Sequence, residues 1–270
     1  MRVSDLHVHT VFSDGVNTME EMVQAAVEKG LSSIGFSDHS FTSFDLRYCI
    51  REEQLPGYHA ELRRLKEKYR GRIEVYAGME YDGYSQLKDR HLYDYVIGDC
   101  HYVKTWDGYH SVDHAGPEQW QAIQDYFGGD PIAYSKAYFE TYVECTRRHR
   151  PDVLGHFDLT AKFGFVNEDD AGYRDMALEA LLACLEVTPV VEVNTGAIAR
   201  GLRTRPYPNL FLLREIRAHG GTVTLCSDAH KKENLGFWFE EAVQLLREAG
   251  FKSVAVLRGG QFQEAELRGH

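Results

Sequence analysis

Short apolar runs rich in β-branched residues recur along the chain at 3–8, 33–37, 73–80, 95–100, 153–156, 190–194 and 222–227, and each predicts a strand. A further run at 253–257 reads either as an eighth strand or as a segment closing the sheet. Between the first two runs, Met19, Met22, Val23, Ala26 and Val27 repeat at helical spacing. Thr18, with Glu21 three residues on, forms a capping box before this helix, and Gly30 ends it. The same three- and four-residue steps predict helices over 53–70, 134–149, 170–187, 208–219 and 239–249.

Strands alternating with helices predict a parallel α/β fold. No repeat, low-complexity tract or linker divides the chain, so residues 1–270 read as one barrel-sized domain. The one long irregular stretch, 102–130, is read as a lid or binding loop, the alternative being a surface excursion without a role.

Composition narrows the function classes. A formal charge of −11 leaves no basic face for nucleic acid, although metal ions and a few arginines can reverse the field locally for a small anionic substrate. Five cysteines without CxxC spacing read as reduced thiols. No leader or membrane-length apolar run is evident, and the expectation is a cytoplasmic protein without a membrane partner.

The chemistry sits where the predicted strands end. His7 and His9 are two apart at the close of the first strand, and extended backbone points such side chains the same way. Ser13-Asp14-Gly15 follows as a ligand-bearing turn. Further endings carry His39, Glu80, His101, His156, Asp228 and His230. Together with His7, His9 and Asp14 these make nine candidate metal ligands, gathered at the rim where a parallel barrel builds its site. Imidazole with carboxylate suits zinc, iron or manganese. One zinc takes about four ligands, so the set implies two or three divalent or trivalent ions, with Glu80 or Asp228 bridging. Asp38, Asp99 and Asp158 adjoin ligands in sequence and are read as supporting residues, because strand neighbours face opposite ways.

This set of endings, Asp5-Leu6-His7-Val8-His9-Thr10 with Ser37-Asp38-His39, Glu80, His101, Gly155-His156 and Ser227-Asp228-Ala229-His230, resembles the PHP (polymerase and histidinol phosphatase) superfamily over nearly the whole chain. The resemblance implies a distorted (β/α)7 barrel with a trinuclear centre. His7, His9, Glu80 and Asp228 would hold one metal, Glu80, His101 and His156 a second, and Asp14, His39 and His230 the third. Within the superfamily the chain is most similar to stand-alone histidinol-phosphate phosphatases, although Asp99-Cys100 departs from the small-residue pair expected before His101. The implied reaction is hydrolysis of L-histidinol phosphate by a metal-bridging hydroxide, with His39, Glu80, Asp228 and His230 as the catalytic set.

For the phosphate, Arg200 and Arg203 follow the strand at 190–194 on a glycine-bearing loop, and Lys162 follows His156; ordinary carboxylate pairs are the alternative for these cations. Tyr102, Tyr109 and Asp113 are candidates for the imidazole and ammonium of the substrate. Two other readings stay open: a phosphoesterase for a nucleotide or phosphotyrosine, and a metal-stabilised assembly module without activity. A homo-oligomer also stays open.

Overall fold

The computed structural model describes residues 3–86 and 88–267. In chain order its elements are β1 (Ser4–Asp5), α1 (Met19–Glu28), β2 (Ser33–Phe36), α2 (Leu55–Lys68), β3 (Glu74–Ala77), β4 (Glu80–Asp82), β5 (Ile97–Asp99), β6 (Tyr102–Lys104) and β7 (Tyr109–Ser111). There follow α3 (Gly116–Phe127), α4 (Pro131–His149), β8 (Val153–Leu154), α5 (Ala171–Leu185), β9 (Val190–Asn194) and the single turn α6 (Gly196–Ala199). The chain closes with α7 (Leu210–Ala218), β10 (Thr222–Cys226), α8 (Phe239–Glu248), β11 (Ser253–Arg258) and β12 (Gln261–Glu266).

Helix boundaries follow local chemistry. Thr18 accepts from Glu21 N while the Glu21 carboxylate accepts from Thr18 N, so the predicted capping box starts α1. Asp130, Asp170 and Asn209 cap α4, α5 and α7 through their side-chain oxygens. The helix expected from 134 begins at Pro131 instead, where a missing N–H costs nothing.

The strands form two parallel sheets, ordered β1-β2-β3 and β10-β9-β8-β5-β4. Two isolated parallel bridges join them, Val8 to Ala229 beyond β1 and β10, and His39 to Glu80 beyond β2. The run expected as one strand over 73–80 is broken into β3 and β4 at Gly78. Tyr95 explains the break: a Cβ on Gly78 would lie 2.3 Å from its ring, and one on Gly35 2.3 Å from its hydroxyl. With glycine on both strands the ring fits beneath the site and its hydroxyl donates to the Leu6 carbonyl.

The run at 253–257 does not extend either sheet. As β11 it pairs antiparallel with β12, and Ala255 and Leu257 pack in one cluster with Leu6, Tyr95, Ile97, Val153, Val190 and Cys226. Residues 102–130 are not irregular either: β6 and β7 form an antiparallel hairpin and α3 packs behind it, with Val103, Val112, Ala122 and Ile123 in the largest apolar cluster. No helix among the described residues is long and apolar enough to cross a membrane.

Candidate metal centre

His7 and His9 leave β1 on the same side, as period-two backbone requires, and both are fully buried. Their strand is held against the loop beyond β10 by His9 N donating to the Ala229 carbonyl and Ala229 N to that of His7. That pairing carries Asp228 to the two imidazoles: its Oδ1 lies 3.2 Å from His9 Nε2 and 3.9 Å from His7 Nε2. Asp228 itself sits in the left-handed region at φ 49°, which aspartate tolerates better than most side chains.

Glu80 is the hub. Its Oε1 lies 3.2 Å from His7 Nε2, 3.4 Å from His101 Nε2 and 3.0 Å from His156 Nε2. Its Oε2 lies 2.6 Å from His39 Nδ1 and 3.5 Å from His9 Nε2. Asp14, on the turn after His9, completes a further corner, 3.2 Å from His230 Nε2 and 3.7 Å from His39 Nε2. The donors fall into three groups whose ligand atoms lie within 4.8 Å of one another: His9, Asp14, His39 and His230; Glu80, Asp99, His101 and His156; and His7, His9 and Glu80. The nine residues expected to meet therefore do meet, from strand ends far apart in sequence.

Asp99 corrects the sequence reading. Grouped with Asp38 and Asp158, it reads as a supporting residue that faces away from the ligands, yet it stands two residues before His101 and shares its face. Its Oδ1 lies 3.2 Å from His101 Nδ1 and its Oδ2 3.7 Å from His156 Nε2. Asp38 and Asp158 do support instead. Asp38 accepts from the Thr10 amide and hydroxyl and from Ser13, pinning the turn that presents Asp14. Asp158 accepts from Asn209 N at the start of α7. Three buried carboxylates went unread. Asp5 holds Ser227 N and Gly236 N, Asp82 holds His101 N, and Glu192 holds His7 Nδ1 and His156 N. The signal was available: an acidic residue inside an apolar strand, as in Val190–Asn194, needs an internal partner.

The donor set fits metal ions. His7 Nε2, both nitrogens of His9, Glu80 Oε2 and both oxygens of Asp99 are buried without a hydrogen-bond partner. Buried polar atoms are normally satisfied, so a converging group of orphans calls for a shared cation. Burial, with His230 and His39 alongside, pushes the His9 imidazole down to about 3, leaving it neutral with a lone pair to offer. Burial opposes ionising Glu80, but His39, His7 and His101 hold its carboxyl well below the usual range. Asp228 is likewise ionised against burial, chiefly by Arg200 and His7.

A cavity of about 430 Å³ opens over this floor. Arg200 lines it, with its Nη2 3.0 Å from Asp228 Oδ2. Lys162 also lines it, its ammonium 3.0 Å from Asp113 Oδ2, and that cation holds the half-buried Asp113 carboxyl below the usual range although desolvation opposes this. Tyr102 reaches the wall and donates to Asp45 Oδ2 at 3.0 Å. Arg203 does not reach the cavity: it donates to the Ala161 carbonyl and to both oxygens of Glu168, the carboxylate-pair alternative. Tyr109 stacks on Phe44 with ring centroids 4.0 Å apart and also misses it. The loop after β2 brings in Arg47 and Tyr48, which nothing in the sequence pattern marked.

Residues 5–196 match the PHP domain family. The chain belongs to that family. The matched span holds seven of the nine candidate ligands of this PHP chain, while Asp228 and His230 lie beyond it. A protein of Deinococcus radiodurans named "Probable histidinol-phosphatase" is 30% identical over 93% of this chain and 95% of its own. The histidinol-phosphatase of Bacillus subtilis is 25% identical over 89% of this chain and 98% of its own. The histidinol phosphate phosphatase of Lactococcus lactis, solved with zinc, L-histidinol and phosphate, superposes with a TM-score of 0.74 at 21% identity, covering 97% of this chain and 99% of that one.

Proposed function

We propose that this PHP protein is a metal-dependent phosphomonoesterase that hydrolyses L-histidinol phosphate to L-histidinol and phosphate. The observation that carries the chemistry is the convergence on Glu80 of five imidazoles from four strand ends, with orphaned donors between them. The substrate rests on relatives named for that activity which match along nearly their whole length. The site is best read as the mouth of a distorted (β/α)7 barrel formed by residues 1–270 as one domain. The two bridges between the sheets support ring closure, with β3 and β4 counted as one broken strand.

His7, His9, Glu80 and Asp228 would hold one ion, Glu80, Asp99, His101 and His156 a second, and Asp14, His39 and His230 a third. Two or three ions of zinc, iron or manganese suit these nitrogen and oxygen donors. When bound, such ions supply Lewis-acid charge for the phosphoryl oxygens and lower the pKa of water toward neutrality. Glu80 and Asp228 act by remaining carboxylates between the imidazoles. Arg200, whose Nη2 donates to Asp228 Oδ2 while Nη1 reaches the Asp228 carbonyl and His230 Nδ1, offers its remaining N–H groups to a phosphoryl oxygen. Lys162 adds positive charge from the cavity wall, with its position set by Asp113. Tyr102, Asp113 and Asp45 give that wall acceptors suited to the ammonium and imidazole N–H groups of histidinol. Five free and buried thiols support a reducing, cytoplasmic setting.

The test is turnover of L-histidinol phosphate, a nucleoside monophosphate and p-nitrophenyl phosphate by protein before chelation, after chelation and after return of zinc or manganese. The expected result is the highest kcat/KM on histidinol phosphate, lost on chelation and restored by metal. Equal or better efficiency on the nucleotide overturns the substrate, and activity indifferent to chelation overturns the metal centre.

A further inference from the structure

The carboxylate of Glu192 lies outside all three donor groups, yet it touches two of their members. It sits in the middle of β9, fully buried, between Val191 and Val193. Its Oε2 lies 2.8 Å from His7 Nδ1, and its Oε1 accepts from His156 N at 2.7 Å. Oε1 also accepts from Asn194 Nδ2 at 2.8 Å. The orientation of that amide is fixed in turn, because Asn194 Oδ1 accepts from Gly196 N at 2.9 Å. A chain of assigned donors therefore runs from the first amide of α6 to Glu192 Oε1, while Oε2 faces His7 Nδ1 and the Cys226 thiol also bonds this carboxylate.

His7 has one other polar nitrogen. Its Nε2 faces Glu80 and Asp228 and has no hydrogen-bond partner. An imidazole coordinates through the nitrogen that lacks a proton, and which nitrogen that is depends on the bond its opposite nitrogen makes. We propose that Glu192 is a positioning residue of the metal centre, holding the proton of His7 on Nδ1 so that Nε2 faces the ions bare, while anchoring the backbone of His156 on the neighbouring strand. One carboxylate thereby sets the ring of one ligand and the height of another, and both ligands reach Glu80 Oε1, at 3.2 and 3.0 Å.

Glu192→Gln makes the point sharply. Its amide oxygen must face His156 N and Asn194 Nδ2, both of which are donors, so its NH2 is turned toward His7 Nδ1. An NH2 donates to a bare Nδ1, which moves the His7 proton to Nε2 and into the metal site. The variant keeps the volume of the side chain and the anchor on His156.

The inference rests on the metal-centre reading, and its test separates the two. Long-range ¹H–¹⁵N spectra of zinc-loaded, ¹⁵N-histidine-labelled protein read which His7 nitrogen carries the proton, and zinc affinity is measured against a competing chelator dye. Expected are a His7 protonated on Nδ1 and bare at Nε2 in the zinc-loaded wild type, and zinc affinity weaker by roughly 10- to 100-fold in E192Q. A zinc-loaded wild type whose His7 carries its proton on Nε2 overturns the inference by itself, and this holds even if E192Q does not fold. Unchanged zinc affinity in E192Q also overturns it. Wild-type protein that takes up no zinc, iron or manganese at all overturns the metal centre first, and the inference with it.

Discussion

His39 and Glu80 are joined twice. Their backbones form a parallel bridge between the two sheets, and His39 Nδ1 lies 2.6 Å from Glu80 Oε2. The seam between the sheets is therefore also the centre of the site, and a change at Glu80 reaches five of its six imidazoles, all but His230. Glu80→Gln keeps the shape and removes the charge that the neighbouring imidazoles stabilise. Metal analysis should show at least one ion lost, and kcat should fall by more than about 100-fold, beyond the usual cost of changing a residue that only supports a ligand. Full metal content with near-normal kcat would contradict the bridging role.

Arg200 and Arg203 are three residues apart and should part company on mutation. Arg200→Ala should raise KM for the phosphate ester and lower kcat/KM, since its guanidinium borders the cavity beside Asp228. Arg203→Ala should leave KM unchanged. It strands Glu168 and the Ala161 carbonyl, a loss of roughly 1–3 kcal/mol that lowers Tm by a few degrees. Steady-state kinetics and a melting curve on both variants decide between these assignments, and a KM effect at Arg203 would refute them.

Gly196 has a steric reason to lack a side chain. A Cβ there would lie 2.7 Å from Asp228 Oδ2 and 2.8 Å from Asp228 Cβ. Gly196→Ala should push Asp228 away from His7 and His9, costing metal affinity and turnover together, while far-UV circular dichroism stays that of the wild type. Unaltered zinc affinity would show that Asp228 yields without consequence.

The thiols give a pH test away from the site. Burial pushes Cys145 and Cys184 up to about 12, whereas an unfolded thiol titrates near about 8.5. Above that lower value the unfolded chain has lost protons that the folded chain keeps. Stability is therefore undiminished below about pH 8.5 and falls as pH rises toward 12. Denaturant midpoints should decline across that window, with native protein resisting thiol reagents at pH 8 until unfolded. Rapid labelling of Cys145 or Cys184 in the native protein would exclude this.

Much of the architecture was legible because it is local. Period-two runs, the Thr18–Glu21 box and helical stripes are properties of neighbouring residues, and they located the parallel strands and most helices. Two segments were not legible. Residues 102–130 lacked long apolar periodicity because β6 and β7 have three residues each, and their order comes from packing on α3 and α4. The division of the 73–80 run depends on Tyr95, a side chain just before β5 that claims the space next to Gly35 and Gly78.

The site divides in the same way. The identity of its donors was written in the chain, because imidazoles and carboxylates at strand ends have few other reasons to recur, and His7 with His9 needed only the alternation of a strand. Which carboxylate joins them, and which arginine faces the cavity, was decided in three dimensions. Asp99 turned inward beside His101, Arg203 was taken by Glu168, and Glu192 bonded a histidine 185 residues away. Those outcomes depend on which partner is within reach of a buried charge, and only the folded chain sets that distance.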